Sequence, residues 1–179
     1  ADAAATLDAL TEFWRRGLDE PALAALAMQL GADVPMCRFG RPALVSGIGE
    51  TIRPAPVLPS FALLLVNPNR LVATADVFRR LTPPYAAPMP LDSNAHSAAD
   101  LAQALQQRGN DLAAPAIALC PQIGEALVRL ARLQGCLLAQ MSGSGATCYG
   151  LFADIADARA AAAVMQSLRP HWFVRACTV

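Results

Sequence analysis

The order of apolar periods from Phe61 onward narrows the fold more than any other feature of the chain. A stiff connector of Pro54, Pro56 and Pro59 leads into Phe61 to Val66, a short, continuously apolar run that reads as a buried strand. Helical periods follow. Thr74 stands where it can cap a short helix through Phe78 and Leu81, and Pro83, Pro84, Pro88 and Pro90 mark an exposed loop. Ser97 and Asp100 form a capping pair ahead of Leu101 and Leu105, and Gly109 stops that helix. A further helix carries Ile123, Leu127, Leu130 and Leu133 on one face and ends at Gly135. The chain then changes period: a strand from Cys136 to Gln140, a turn from Met141 to Gly145, and a strand from Ala146 to Phe152. Asp154 caps a last helix with Ile155, Ala158, Ala162 and Met165 inward, Pro170 lies just beyond it, and Trp172 to Val179 is a final strand. Strand, helices, strand, strand, helix, strand is the split βαβ order of ferredoxin-like domains, with extra helices in the first crossover.

The first sixty residues do not complete a domain of their own. Asp2 can cap a helix whose apolar stripe is Leu7, Leu10, Trp14 and Leu18. Asp19 and Pro21 start a second, with Leu23, Leu26 and Leu30 on one face and Gly31 at its end in the left-handed cap position. Met36 to Ile52 lack helical period, carry glycines at 40, 47 and 49, and read as strands joined by tight turns. Two helices and a hairpin leave apolar faces without an evident partner. The fold class is therefore α+β, with residues 1–60 as a remnant of a larger domain and 61–179 as a ferredoxin-like domain.

Charge excludes some partners. Fourteen Lys and Arg balance fourteen Asp and Glu, so no basic stripe argues for nucleic acid and no polybasic segment for anionic lipid. No run of eighteen apolar residues and no signal-peptide layout is present, which makes a cytoplasmic protein the expectation. Five cysteines, an odd number with no C-x-x-C pair, read as buried thiols rather than a disulfide framework or a zinc site. His96 and His171 lie far apart and read as surface or satisfied residues.

Three segments could carry chemistry. Met141-Ser142-Gly143-Ser144-Gly145-Ala146-Thr147 is a small-residue turn between two strands, where amide donors can meet another object with no side chain in the way. Phosphate is one such object; a tight hairpin needing positive φ explains the same residues. Asp33, just past a helix end in Leu30-Gly31-Ala32-Asp33-Val34-Pro35, could serve as a general base or a metal ligand, or could simply cap a turn; Pro35 is expected to hold the chain extended there. The helix start at Ala1-Asp2 could attract an anion, as any helix start can. Phe78, four residues after Thr74, fits either a core position or a surface on which a ligand stacks. Ser142 and Ser144 have no histidine or aspartate at a hydrolase spacing.

Four stretches, in order, resemble the GHMP kinases (galactokinase, homoserine, mevalonate and phosphomevalonate kinases). LGADVPMCRFGRPALVSGIGE resembles the segment after their second motif in the branch that acts on a diphosphocytidyl substrate. MSGSGATCYGLF resembles their third motif, a glycine-rich turn near the phosphates. Gly109-Asn110-Asp111-Leu112 resembles the N-D-L segment ahead of a helix, and ADAAATLDAL the helix that follows their phosphate loop, G-G-G-S. The resemblance implies the C-terminal part of such a kinase, with ATP and Mg2+ as cofactors and diphosphocytidyl methylerythritol as the small-molecule substrate. It matches Asp33 to the catalytic aspartate and Ser142, Gly143, Ser144, Gly145 and Ala146 to the loop supporting the phosphates. Thr74 and Phe78 are matched to the cytidine end, with no resident metal site. A homodimer is compatible with it. The phosphate loop is expected upstream of Ala1, so these 179 residues alone are expected to lack kinase activity and to self-associate. Another GHMP kinase, or a non-catalytic ferredoxin-like ligand-binding or dimerisation module, is the alternative reading.

Overall fold

A computed structural model describes residues 1–14, 17–87, 89, 91 and 94–179. They divide into two compact units, one of residues 1–56 together with Leu91, the other of residues 57–89 and 94–179. The prolines at 88 and 90 of the expected loop lie outside the described residues.

The first unit holds α1 (Asp2–Phe13), α2 (Glu20–Leu30), α3 (Val34–Phe39) and the antiparallel hairpin β1 (Ala43–Ser46) and β2 (Thr51–Pro54), paired with Val45 opposite Ile52. Its core is small: Ala4, Ala27 and Val34, with Ala3, Leu7 and Cys37 packed around them. Alanines at the contact let the helices approach closely. Arg38 of α3 fastens the three helices, its guanidinium donating to Asp8 of α1 at 2.7 Å and to Glu20 of α2 at 3.3 Å. Asp19 caps α2, accepting from the Ala22 amide at 3.0 Å, a contact worth about 1 kcal/mol.

Several expectations for this unit are corrected. Asp2 is the first helical residue of α1 rather than its cap, and Ala1 stands at the cap position. Leu10, Trp14, Leu18, Leu26 and Leu30 are exposed, because the helices meet along Ala4 and Ala27 instead. Met36 to Phe39 are helical: Pro35 lies in the first turn of α3, where its missing N–H costs nothing and its fixed φ suits the helix, so the chain is not extended there. Gly31 closes α2 at φ 154, ψ 149, not in the left-handed conformation.

The second unit is a four-stranded antiparallel sheet with helices packed on it. Its strands are β3 (Ala62–Asn67), β4 (Leu138–Met141), β5 (Cys148–Phe152) and β6 (Phe173–Thr178), in the order β4-β5-β3-β6. That is the split βαβ topology, with β3 central and paired to both β5 and β6. The helices are α4 (Thr74–Arg79), α5 (Ala98–Gln106), α6 (Ala113–Leu119), α7 (Pro121–Ala131) and α8 (Ile155–Leu168). Along β3 the buried residues alternate as Ala62, Leu64 and Val66, the period of a strand with one face in a core. Against them pack Phe152 of β5, Ile123 and Leu130 of α7, and Met165 of α8, all fully buried. Each large side chain removed from water contributes roughly 1.5–3 kcal/mol. Ser97 and Asp154 cap α5 and α8, accepting from the amides of Asp100 at 3.1 Å and Asp157 at 2.9 Å. Helix α6 is one of the extra crossover helices, and the N-D-L segment leads into it. Burial pushes the Cys148 thiol up to about 12, in keeping with a thiol held inside.

Candidate active site

The turn between β4 and β5 is built from its neck outward. Met141 pairs with Cys148 at the last rung, and the Ser142 amide donates to the Thr147 carbonyl at 2.9 Å. Within the loop the Gly145 amide donates to the Ser142 carbonyl at 3.0 Å. Gly143 (φ 55) and Gly145 (φ 87) sit in the left-handed region that favours glycine. Among the described residues no acceptor takes the amides of Gly143 and Ser144. A Cβ added at Gly143 would meet nothing within 4 Å, so this corner opens on free space. Two successive free amides on a glycine turn form a concavity that suits an anion.

Side chains from three other segments hold the turn. Asn110 donates to the carbonyls of Met141 at 3.0 Å and Gly143 at 2.8 Å, while its own oxygen accepts from the Leu112 amide at 2.9 Å. Asn67, at the end of β3, donates to the Thr147 hydroxyl at 2.9 Å. Thr74 and Ser144 share a hydroxyl–hydroxyl bond of 2.9 Å. The structure thus brings Thr74 onto the turn, not into a cap: α4 begins after Ala73, and its start has no side-chain cap. Phe78 lies one helical turn beyond Thr74 and is 55% exposed, so it is a surface residue and not part of the core. Sequence reasoning missed Asn67, for which an asparagine at a strand end is the one available signal. It noted Asn110 only through the N-D-L resemblance.

Asp33 belongs to the first unit. It stands at the cap position of α3, yet its carboxylate makes no cap bond, and among the described residues that carboxylate has no hydrogen-bond or ion-pair partner. The capping explanation of this residue therefore fails. The backbone around it is fixed: the Val34 amide donates to Gly31 at 3.0 Å, and the Cys37 amide to Asp33 itself at 3.1 Å. The tip of the β1–β2 hairpin presses on the neighbouring residue. A Cβ on Gly49 (φ 111) would stand 2.3 Å from the Ala32 carbonyl oxygen, so only glycine fits there. Glu50 closes the same tip by accepting the Ile48 amide at 2.6 Å. The G-I-G-E sequence is thereby a support for the segment that carries Asp33. Among the described residues no three carboxylate, imidazole or thiol groups gather as a metal site.

Residues 92–171 match the family model described as GHMP kinases C terminal. Proteins named 4-diphosphocytidyl-2-C-methyl-D-erythritol kinase are 48% identical to it in Rhodospirillum rubrum and 49% in Sinorhizobium medicae, each over 98% of this chain and 58% of the relative. The Cereibacter sphaeroides protein of the same name is 48% identical over 97% of this chain and 62% of its own length. The chain thus spans less than two thirds of the curated relatives it matches. A solved structure of 4-(cytidine 5'-diphospho)-2C-methyl-D-erythritol kinase superposes with a TM-score of 0.76 at 32% identity, over 99% of this chain and 62% of that one. Homoserine kinase from Cytophaga hutchinsonii shares the fold, with a TM-score of 0.70 at 17% identity, over 98% of this chain and 62% of that one. No helix of the described residues is long and apolar enough to cross a membrane.

Proposed function

We infer that the chain is the C-terminal part of an ATP-dependent kinase that phosphorylates 4-diphosphocytidyl-2-C-methyl-D-erythritol on a hydroxyl, giving the 2-phosphate in non-mevalonate isoprenoid synthesis. The observation that carries this reading is near-50% identity, along almost the whole chain, to relatives bearing that name. Phosphoryl transfer needs in-line positioning, donors for the phosphate oxygens and a group that orients or deprotonates the attacking hydroxyl. The free amides of Gly143 and Ser144, on the turn running to Ala146, suit the second task. Asp33, exposed and unpaired on a braced backbone, suits the third. Phe78 offers an aromatic face for the cytosine ring.

Mg2+ belongs to this reading as the companion of ATP, neutralising phosphate charge. Among the described residues no three acidic, imidazole or thiol side chains gather as a cage for it, so the nucleotide phosphates would supply most of its ligands. The reading extends to a cytoplasmic enzyme and is compatible with a homodimer, which light scattering of the complete enzyme checks. A substrate panel tests the function itself. The complete enzyme is expected to consume ATP with the diphosphocytidyl alcohol and not with homoserine or mevalonate. Turnover of homoserine or mevalonate in preference to the diphosphocytidyl alcohol would move the protein to another branch of the family.

A further inference from the structure

The geometry points to Thr74 as a positioning residue that acts through Ser144, so that filling the glycine-rich turn also orders α4 and the face bearing Phe78. This rests on the turn being the phosphate end of the kinase site proposed above.

Of the side chains that hold the turn, Asn67 and Asn110 donate from amide groups to a hydroxyl and to carbonyls. Those bonds have one polarity. The Thr74–Ser144 bond has two, because either hydroxyl can be the donor across the 2.9 Å separation. An anion on the free amides of Gly143 and Ser144 only accepts. The Ser144 hydroxyl then turns its hydrogen toward the anion, and Thr74 alone can complete the pair by donating to Ser144. The result is a chain from Thr74 to Ser144 to the anion. Its terminal bond is charge-assisted, and each bond polarises the next.

Helix α4 is where this matters. Six residues are too few to hold a helix by themselves, so its order comes from what anchors it. Val77 is its one fully buried residue. Thr74, its first residue, is the second anchor, through Ser144. Phe78 follows Thr74 by four residues and shares its face, so securing one fixes the position of the other. The hydroxyl pair thereby connects the phosphate end of the site to the aromatic surface offered to the base.

Hydrogen exchange in the complete enzyme, with inorganic triphosphate as the probe, tests the connection without any kinase assay. In the unsubstituted protein and in Thr74→Ser, saturating triphosphate is expected to slow exchange of the amides of residues 76–80 by about tenfold. In Thr74→Val, and in Ser144→Ala, which removes the other hydroxyl, slowing is expected to stay under about twofold. Equal protection in Thr74→Val, or none in the unsubstituted protein, overturns the proposal. In the complete enzyme, ATP is expected to tighten the diphosphocytidyl substrate by about fivefold or more, and Thr74→Val to abolish that effect while Thr74→Ser keeps it. A kinase whose coupling survives Thr74→Val keeps its assigned activity and loses this relay. A protein with the exchange effect that phosphorylates none of the panel keeps the relay and loses the assigned activity.

Discussion

Two residues of the proposed site, Asp33 and Gly143, allow function to be separated from folding. Asp33 has an exposed carboxylate with no partner, so replacing it should cost little stability. Asp33→Asn in the complete enzyme is expected to lower turnover by about two to four orders of magnitude, the usual range for losing a general base, with little change in substrate affinity. Steady-state kinetics beside a melting curve checks this, and more than a third of normal turnover would remove Asp33 from the mechanism. Gly143 makes a different case. A valine there meets no neighbouring atom but must adopt φ 55, a strained conformation for a β-branched residue costing roughly 1–3 kcal/mol. Its methyls would stand in the open corner in front of two free amides. Gly143→Val is expected to raise the KM for ATP at least tenfold while the protein stays folded at 25 °C; a variant inactive only because it unfolds would reduce the turn to a tight hairpin.

At the scale of elements, α4 carries the next expectation. Phe78 is more than half exposed, so Phe78→Ala should leave the melting temperature within about 2 °C, since surface changes seldom exceed about 0.5 kcal/mol. The KM for the diphosphocytidyl substrate should rise about five- to hundredfold, the worth of one stacked base, with that for ATP nearly constant. Equal effects on both substrates would remove the stacking role. Elements with strong local signals were legible in the sequence: the apolar run of β3, the capped α5 and α8, and the glycine turn with strands on both sides. The short helix α3 was not. Six residues give it less than two turns, too little for a period to emerge, and a proline that starts a helix looks locally like one that ends it. Large apolar side chains also misled at α1 and α2, whose contact is made by alanines that carry no strong pattern. The site showed the same division. Its glycines and Asp33 stood out within motifs, whereas the clamp by Asn67 and the Thr74–Ser144 bond join positions 80 and 70 residues apart, which no local reading can pair.

For the molecule as a whole, acid should loosen the helical layer of the second unit. Glu125 of α7 pairs with Arg129 of the same helix at 2.7 Å and with Arg169, just past α8. Hydrogen bonding to Arg129, then to Arg169, holds its carboxyl below the ordinary 4.5. A depressed carboxyl contributes stability above the unfolded value, and that contribution fades as pH falls through the folded one. The melting difference between the unsubstituted protein and Glu125→Gln should therefore be largest above the ordinary carboxyl range and shrink as pH falls below it, with a size under about 1 kcal/mol for a part-exposed pair. A difference independent of pH would mean that the pairs add nothing measurable. The sheet order has a further consequence for the birth of the protein. Strand β3, ending at Asn67, lies between β5 and β6, and β6 begins only at Phe173. At about 5–20 residues per second, a ribosome takes roughly 5–20 s to make the intervening stretch. Until β5 is made both edges of an almost wholly apolar strand are unpaired, and the edge toward β6 stays so until Phe173 and its successors follow, so the nascent chain is open throughout to capture by chaperones or by its neighbours on the same message.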